Sequence, residues 1–205
     1  MRIGILGSGH MGAARGHEVT LAWSRDPDRL AAMARDCGAA QGSVAEAVVG
    51  AAAIQLAPPW ACIPEVLDQA GDLADRVVLN CSVPVTEDES AMLFGPTASG
   101  AEELARMRPH ARWIARFNTS PSEGLRPVLA RKGRAPAPHL PVHGDDTGAK
   151  DIAASLVRDI GFEPPDAGGL RTGRFAEPFA MVTAELACNQ PGGPALTYRF
   201  DKLRG

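Results

Sequence analysis

The chain opens on a short apolar run, RIGIL at positions 2 to 6, that enters glycines at positions 7, 9 and 12 in the spacing G-x-G-x-x-G. No other feature limits the fold as tightly. A strand running straight into glycines so spaced predicts a strand, a tight turn and the start of a helix. The first glycine makes the turn, the second lets backbone amides close on a pyrophosphate, and the third lets the new helix pack on the sheet. Gly7, Ser8, Gly9, His10, Met11 and Gly12 are therefore the expected ligands of a dinucleotide pyrophosphate. His10 can donate to a phosphate, although a lone histidine in a turn is more often a surface or packing residue.

The end of the next apolar run, residues 18 to 23, indicates which dinucleotide. An NAD site places an acidic residue there for the ribose 2'-hydroxyl, whereas NADP requires a hydroxyl and cations for the 2'-phosphate. Here the chain reads Ser24, Arg25, Asp26, Pro27, with Arg29 one step into the following segment. Asp26 argues mildly against a phosphate, but it also reads as the N-cap of a helix over residues 27 to 37, with Pro27 at its first position and Gly38 closing it. NADP(H) is the expected cofactor, held by Ser24, Arg25 and Arg29.

One spacing conflicts with a full-length unit. Only Ala13, Ala14 and Arg15 separate Gly12 from the GHEVTL of the second strand, whereas a parallel crossover usually takes a dozen residues or more. A five-residue strand is roughly 16 Å long at about 3.3 Å per residue. A helix over positions 8 to 16 returns only about 13 Å at roughly 1.5 Å per residue. The first helix is thus expected to be a stub, with either reduced cofactor affinity or a deletion as the explanation.

Beyond this point strands and helices alternate. Ser43 and Glu46 have the spacing of a capping box. Residues 52 to 56 read as a strand ending in APPW, Ile63, Val66 and Leu67 as a helix, 77 to 79 as a strand ending in NCSVP, 101 to 107 as a helix, and 113 to 117 as a strand ending in RFNTS. Residues 131 to 139 form a basic, proline-bearing loop, read as solvated in preference to an anion site. His139 and His143 flank a short apolar run and are read as exposed strand-end histidines. A helix capped by Asp146 or Thr147 and stopped by Gly161, a strand over 162 to 166 and a helix over about 179 to 188 complete the chain, with Arg174 and Glu177 expected to pair with each other. This alternation predicts an α/β fold, a doubly wound, mainly parallel sheet with helices on both faces and a C-terminal helical extension. Residues 1–119 would form the NADP-binding core, and 120–205 would continue the sheet and end in the helix.

Composition excludes several functions. A net charge of −3 gives no electrostatic basis for binding nucleic acid or an anionic membrane. No segment is apolar enough to span a bilayer, and the N-terminus lacks a signal-peptide layout, so a cytoplasmic protein is expected. Cys37, Cys62, Cys81 and Cys188 are scattered and read as small buried residues, with no metal site. Cys81 falls at a strand end facing the expected cleft. No serine-nucleophile, zinc-protease or Walker-type motif is present.

Taken in order, GSGHMG, GHEV, the SR after the second strand, LAPPW, NCSVP, RFNT, GDD and DAGGLRTGRFAEP resemble the NADP-dependent reductases of the deazaflavin coenzyme F-420. The resemblance implies a Rossmann-type fold that passes hydride between NADP(H) and a deazaflavin or flavin-like acceptor. It also places Ala57 and Pro59 along the adenosine and nicotinamide path. The chain departs from the family pattern at His10, where asparagine is usual, at Val83, and in the segment similar to KAFNT, which here reads Ala115, Arg116, Phe117, Asn118, Thr119. Such chemistry asks the protein mainly for orientation and exclusion of water. Asn118 and Thr119 are the orienting candidates, with Cys81 and Ser82 at the neighbouring strand end. The alternatives are reduction of another small acceptor (a ferric chelate, an imine or a carbonyl) or a nonenzymatic NADP-binding protein. The apolar C-terminal helix suits a homodimer contact as well as intramolecular packing.

Overall fold

The computed structural model describes residues 1–7 and 16–203. Seven strands form one sheet: β1 (Arg2–Leu6), β2 (Glu18–Ala22), β3 (Ala40–Gln41), β4 (Ala53–Leu56), β5 (Val77–Asn80), β6 (Arg112–Ala115) and β7 (His143–Gly144), in the order β3-β2-β1-β4-β5-β6-β7. All neighbours are parallel except β6 and β7, where Ala115 faces His143. β1 and β2 pair in full register from Arg2 opposite Glu18 to Leu6 opposite Ala22. The expected stub helix, positions 8 to 16, lies outside the described residues except for Gly16, which sits in a turn with φ 91°.

Both faces of the sheet are buried, as the near-continuous apolar strands require. On one face, Ile3, Ile5, Leu79 and Ile114 pack with α1 (Pro27–Cys37), α5 (Leu125–Ala130) and α6 (Thr147–Asp159). On the other, Leu6, Ile54, Leu56 and Val78 pack with α2 (Val44–Val48), α3 (Ile63–Ala70) and α4 (Gly100–Met107). The caps follow the sequence. Asp26 accepts from the Arg29 amide, with Gly38 in the left-handed region at φ 65°, and Ser43 and Glu46 form the reciprocal box. Asp146 caps α6 and also pairs with Arg112, whose guanidinium, with the Ala149 amide, holds the Asp146 carboxyl down at about 2.

Several elements differ from the expectation, each for a local reason. β6 stops at Ala115 because Phe117 has φ 64°, a left-handed turn no strand continues through. Residues 162 to 166 make only isolated bridges, His139 with Glu163 and Val142 with Asp166. Pro164 and Pro165 remove the donors a ladder needs. The last helix, α7, runs Gly173–Cys188, longer than expected, with Pro178 accommodated in its second turn. Arg174 and Glu177 do not pair with each other. Arg174 makes a two-pronged pair with Glu102, and Glu177 turns inward to accept from the Gly100 and Ala101 amides at 2.8 and 3.0 Å. Those amides are the open donors at the start of α4, so a buried carboxylate from α7 caps α4. His139 and His143 are buried, at 8% and 1% exposure, and not exposed strand ends. The C-terminal tail covers His139, whose Nδ1 accepts from the Phe200 amide. His143 lies within β7 against the sheet.

Candidate functional site

The direction of winding reverses between β1 and β4: β2 and β3 lie to one side, β5 to β7 to the other. In an open parallel sheet that reversal leaves a crevice outside the carboxyl ends of the strands. It is present here as a cleft of about 830 Å3, lined at one end by Ser24, Arg25 and Arg29, in the middle by Ala57, Pro59 and Trp60, and at the other end by Cys81, Ser82, Asn118 and Ser120.

Gly7 forms the turn out of β1. Its amide donates to the Ala22 carbonyl at 2.9 Å and its φ is 135°. A Cβ there would lie 2.7 Å from both the carbonyl carbon and the oxygen of Ala57. The β1 turn therefore seats directly on the end of β4, a contact only glycine permits. Ser8, Gly9, His10, Met11 and Gly12 lie outside the described residues.

At the end of β2, Trp23 adopts φ 61° and redirects the chain into Ser24. The Ser24 hydroxyl accepts from the Asp26 amide at 3.1 Å. Arg25 and Arg29 are exposed at the cleft mouth, and among the described residues no carboxylate pairs with either. Two guanidinium groups thus lie beside a hydroxyl, with Asp26 occupied as a helix cap, an arrangement whose donors and charge are complementary to a dianion.

The middle and far end are fixed by buried hydrogen bonds. Ser82 donates from its hydroxyl to the Pro58 carbonyl at 2.6 Å, and Asn80 accepts from the Ser82 amide at 3.0 Å. The first bond joins the ends of β4 and β5, and the second fixes the turn that leaves β5. Trp60 packs edge-on against Phe94, with ring centroids 5.8 Å apart. Cys81 is buried, and burial pushes its thiol up to about 12, so it is a small apolar wall and not a nucleophile at neutral pH.

The structure thus brings Ser24, Arg25, Arg29, Ala57, Pro59, Cys81 and Asn118 onto one cleft. Thr119 is absent from its lining. It is buried, and its hydroxyl hydrogen-bonds the Tyr198 hydroxyl at 2.6 Å. The basic loop lies elsewhere: Arg131 and Arg134 line a separate cavity of about 530 Å3 with Tyr198 and Arg199. Among the described residues no cluster of three or more metal-ligating side chains occurs.

Sequence reasoning missed two components. One wall of the cleft is α7, through Ala180, Met181, Thr183 and Ala184. The other lies under the far end. Arg116, 2% exposed, lies with its guanidinium carbon 4.2 Å from the Phe117 ring centroid and donates from Nη2 to the Gln55 side chain at 3.2 Å. Arg116 Nε, Gln55 Nε2, Asn118 Nδ2 and Ser120 Oγ are buried without a partner. An arginine inside the apolar run WIARF was the available signal.

Comparison with known proteins agrees with this geometry. Residues 2–84 match the family described as "NADP oxidoreductase coenzyme F420-dependent". Among solved structures, a protein of Arthrobacter sp. FB24 that carries the provisional name F420-dependent NADP-reductase superposes with a TM-score of 0.86 at 22% identity, covering 98% of this chain and 100% of that one. The hypothetical protein SMa0349 of Sinorhizobium meliloti gives 0.72 at 22% identity over 98% and 96%. The Streptomyces aurantiacus imine reductase gives 0.63 at 20% identity, covering 90% of this chain and 60% of that one. The Arthrobacter and Sinorhizobium proteins thus share the fold over nearly their full lengths. Residues 2–84, which hold β1 to β5 and the glycine turn, are thus similar to the coenzyme F420-dependent NADP oxidoreductases, and the chain as a whole has a Rossmann-type α/β fold.

Proposed function

We propose that this chain is an NADP-dependent oxidoreductase that passes hydride between NADP(H) and a deazaflavin or flavin-like acceptor. The observation that carries this reading is a single cleft with a glycine turn seated on β4 at the sheet's reversal point and Ser24, Arg25 and Arg29 at the end of the adjoining strand. The residues fit the cofactor. Gly7 leaves room where a Cβ would strike Ala57, and the two arginines have no carboxylate partner among the described residues. Ser24, Arg25 and Arg29 would hold the 2'-phosphate, Gly7 and residues 8–12 the pyrophosphate, and Ala57 and Pro59 would border the path to the nicotinamide. NADP(H), when bound, supplies or accepts the hydride.

The protein's share is orientation and exclusion of water. Cys81, Ser82 and Asn118 form the far wall, and Asn118, whose buried Nδ2 has no partner among the described residues, is the orienting group. Thr119 positions that strand end from behind, through Tyr198. Residues 1–119 carry the cofactor contacts, while 120–205 supply β7 and close the cleft with α7. Free cysteines and this cofactor suit a reducing cytoplasm. No described helix is long and apolar enough to cross a membrane. Phe175, Val182 and Leu186 are exposed along α7, and their spacing places them on one side of the helix, suited to a homodimer contact that sedimentation would reveal.

Fluorescence titration with NADPH and NADH tests the cofactor assignment. The double substitution Arg25→Ala, Arg29→Ala should weaken NADPH binding by roughly ten- to a hundredfold, as expected for two lost charge-assisted contacts, and leave NADH binding within about twofold. Equal affinity of the unaltered protein for NADPH and NADH would overturn the reading.

A further inference from the structure

Behind the far end of the cleft, outside its lining, lies a buried cation, Arg116, with no counter-charge among the described residues. Arg116 follows β6, and its amide still donates to the Asn80 carbonyl, which keeps it at the carboxyl end of the strands near Cys81. Among the described residues no carboxylate pairs with it. Burial pulls its pKa down to about 10, which still leaves a full positive charge at neutral pH. The surrounding orphans are also donors: Gln55 Nε2, Asn118 Nδ2 and Arg116's own Nε. Buried charges in proteins are ordinarily paired, and buried donors ordinarily bonded. A cluster with donors in excess and one uncompensated charge is complementary to a group rich in acceptors that carries or develops negative charge. Asn118 opens this cluster to the cleft. From β2, where the phosphate-binding arginines sit, to β6 is four strand spacings, about 19 Å at roughly 4.8 Å each. Arg116 therefore lies behind the end of the cleft opposite those arginines, where the hydride acceptor would be.

We propose that Arg116 sets the class of acceptor: its buried, unpaired guanidinium favours an uncharged conjugated acceptor that becomes anionic on taking hydride, and disfavours a protonated imine. This rests on the NADP-oxidoreductase reading and deepens it. Hydride leaves NADPH with both electrons of its C–H bond, NADPH becomes NADP+, and a new C–H bond forms on the acceptor carbon. An uncharged deazaflavin thereby gains one negative charge, spread over its pyrimidine nitrogen and oxygen atoms until solvent supplies a proton. A protonated imine carries its positive charge into the site before reaction and becomes neutral afterwards. A buried cation stabilises the first product and repels the second reactant. Arg116 acts from behind Cys81 and is a positioning and specificity residue.

The test uses the full chain, NADPH, 5-deazariboflavin and 2-methyl-1-pyrroline. Deazariboflavin is chosen because it lacks the charged tail that would bind for other reasons. The unaltered protein should reduce the deazaflavin in preference to the imine. Arg116→Met should lower kcat/KM for the deazaflavin on the order of tenfold or more. It should also shift the enzyme-bound equilibrium, read from absorbance at stoichiometric protein, toward oxidised deazaflavin by a similar factor. Arg116→Lys should retain most of that equilibrium position, a result loss of packing alone would not give. The Kd for NADPH should stay within about twofold. Removing an uncompensated buried charge should not lower Tm, and Arg116→Gln serves if the Met variant does not fold. A preference for the imine, or an unchanged bound equilibrium in Arg116→Met, overturns the acceptor assignment while NADPH binding leaves the cofactor reading intact. Failure to bind NADPH overturns both.

Discussion

Glu177 and His143 are each 1% exposed and titrate in opposite senses, so stability as a function of pH reports on how α7 is docked. Burial pushes the Glu177 carboxyl up from 4.5 to about 7, against two amide hydrogen bonds from α4 that pull it down. Burial pushes the His143 imidazole down from 6.5 to about 4, and neither ring nitrogen has a partner. Because the folded pKa of Glu177 is raised, the native state holds the extra proton between pH 4.5 and 7, and this group's contribution to stability is lost as pH rises through that window. Because the folded pKa of His143 is depressed, the unfolded state holds the extra proton between pH 4 and 6.5, and stability is lost as pH falls. Each slope is about 1.4 kcal/mol per pH unit, on the order of 3 kcal/mol over its span. From pH 4.5 to 6.5 the two oppose and nearly cancel. Glu177→Gln keeps an acceptor for the α4 amides and removes one slope. In that variant, unfolding free energy should rise relative to the unaltered protein by about 1.4 kcal/mol per pH unit between pH 4.5 and 6.5. Urea denaturation followed by tryptophan fluorescence at half-unit pH steps measures it. Asp88 and Asp146, both held near 2, contribute equally to the two proteins and drop out of the difference. Parallel pH profiles for variant and parent would refute the assignment of a titrating, buried Glu177.

Gly7→Ala places a methyl 2.7 Å from the Ala57 carbonyl at a backbone angle unfavourable to alanine; NADPH titration should show affinity reduced by tenfold or more, or a lowered Tm, as the turn lifts off β4. Ser43→Ala removes the reciprocal cap of α2 and should cost about 1 kcal/mol in urea denaturation, with the midpoint shifted and the slope retained. Cys81, buried with its thiol near 12, should resist alkylation at pH 8 in the folded protein, whereas exposed Cys188 is labelled, as peptide mapping would read out.

The parts of this fold that are legible in the sequence are those fixed by residues close together in the chain. Asp26, Pro27 and Gly38 bound α1 because a cap, a fixed φ and a left-handed stop act within one or two turns. The same holds for Ser43 with Glu46 and for Asp146 at α6. That Ser24, Arg25 and Arg29 lie together at one end of the cleft was readable for the same reason: they follow one strand. The far end was legible only in part, through the strand-end residues Cys81, Ser82 and Asn118. Its wall comes from α7, more than a hundred residues after Ala57, and no local pattern says which sheet edge a late helix will cover. Glu177 looked like half of an i,i+3 pair with Arg174 because nothing in the sequence shows that the first amides of α4 would lie open beside it. The burial of His139 likewise depends on the tail, which returns to hydrogen-bond its backbone through Tyr198, and that of His143 on the pairing of β7 with β6.

That α7 both walls the cleft and caps α4 has a thermodynamic consequence. Met181 and Thr183 face the cavity, while Glu177, one turn earlier, holds the amides of Gly100 and Ala101. A ligand that fills the cleft contacts a helix whose other attachment is this carboxylate, so loading the cleft and seating the C-terminal helix are linked equilibria. Whatever binds there with free concentration a hundredfold above its Kd would add about 2.7 kcal/mol to the docked state, and hydrogen exchange at the Gly100 and Ala101 amides, which are outside the cleft lining, would slow in proportion.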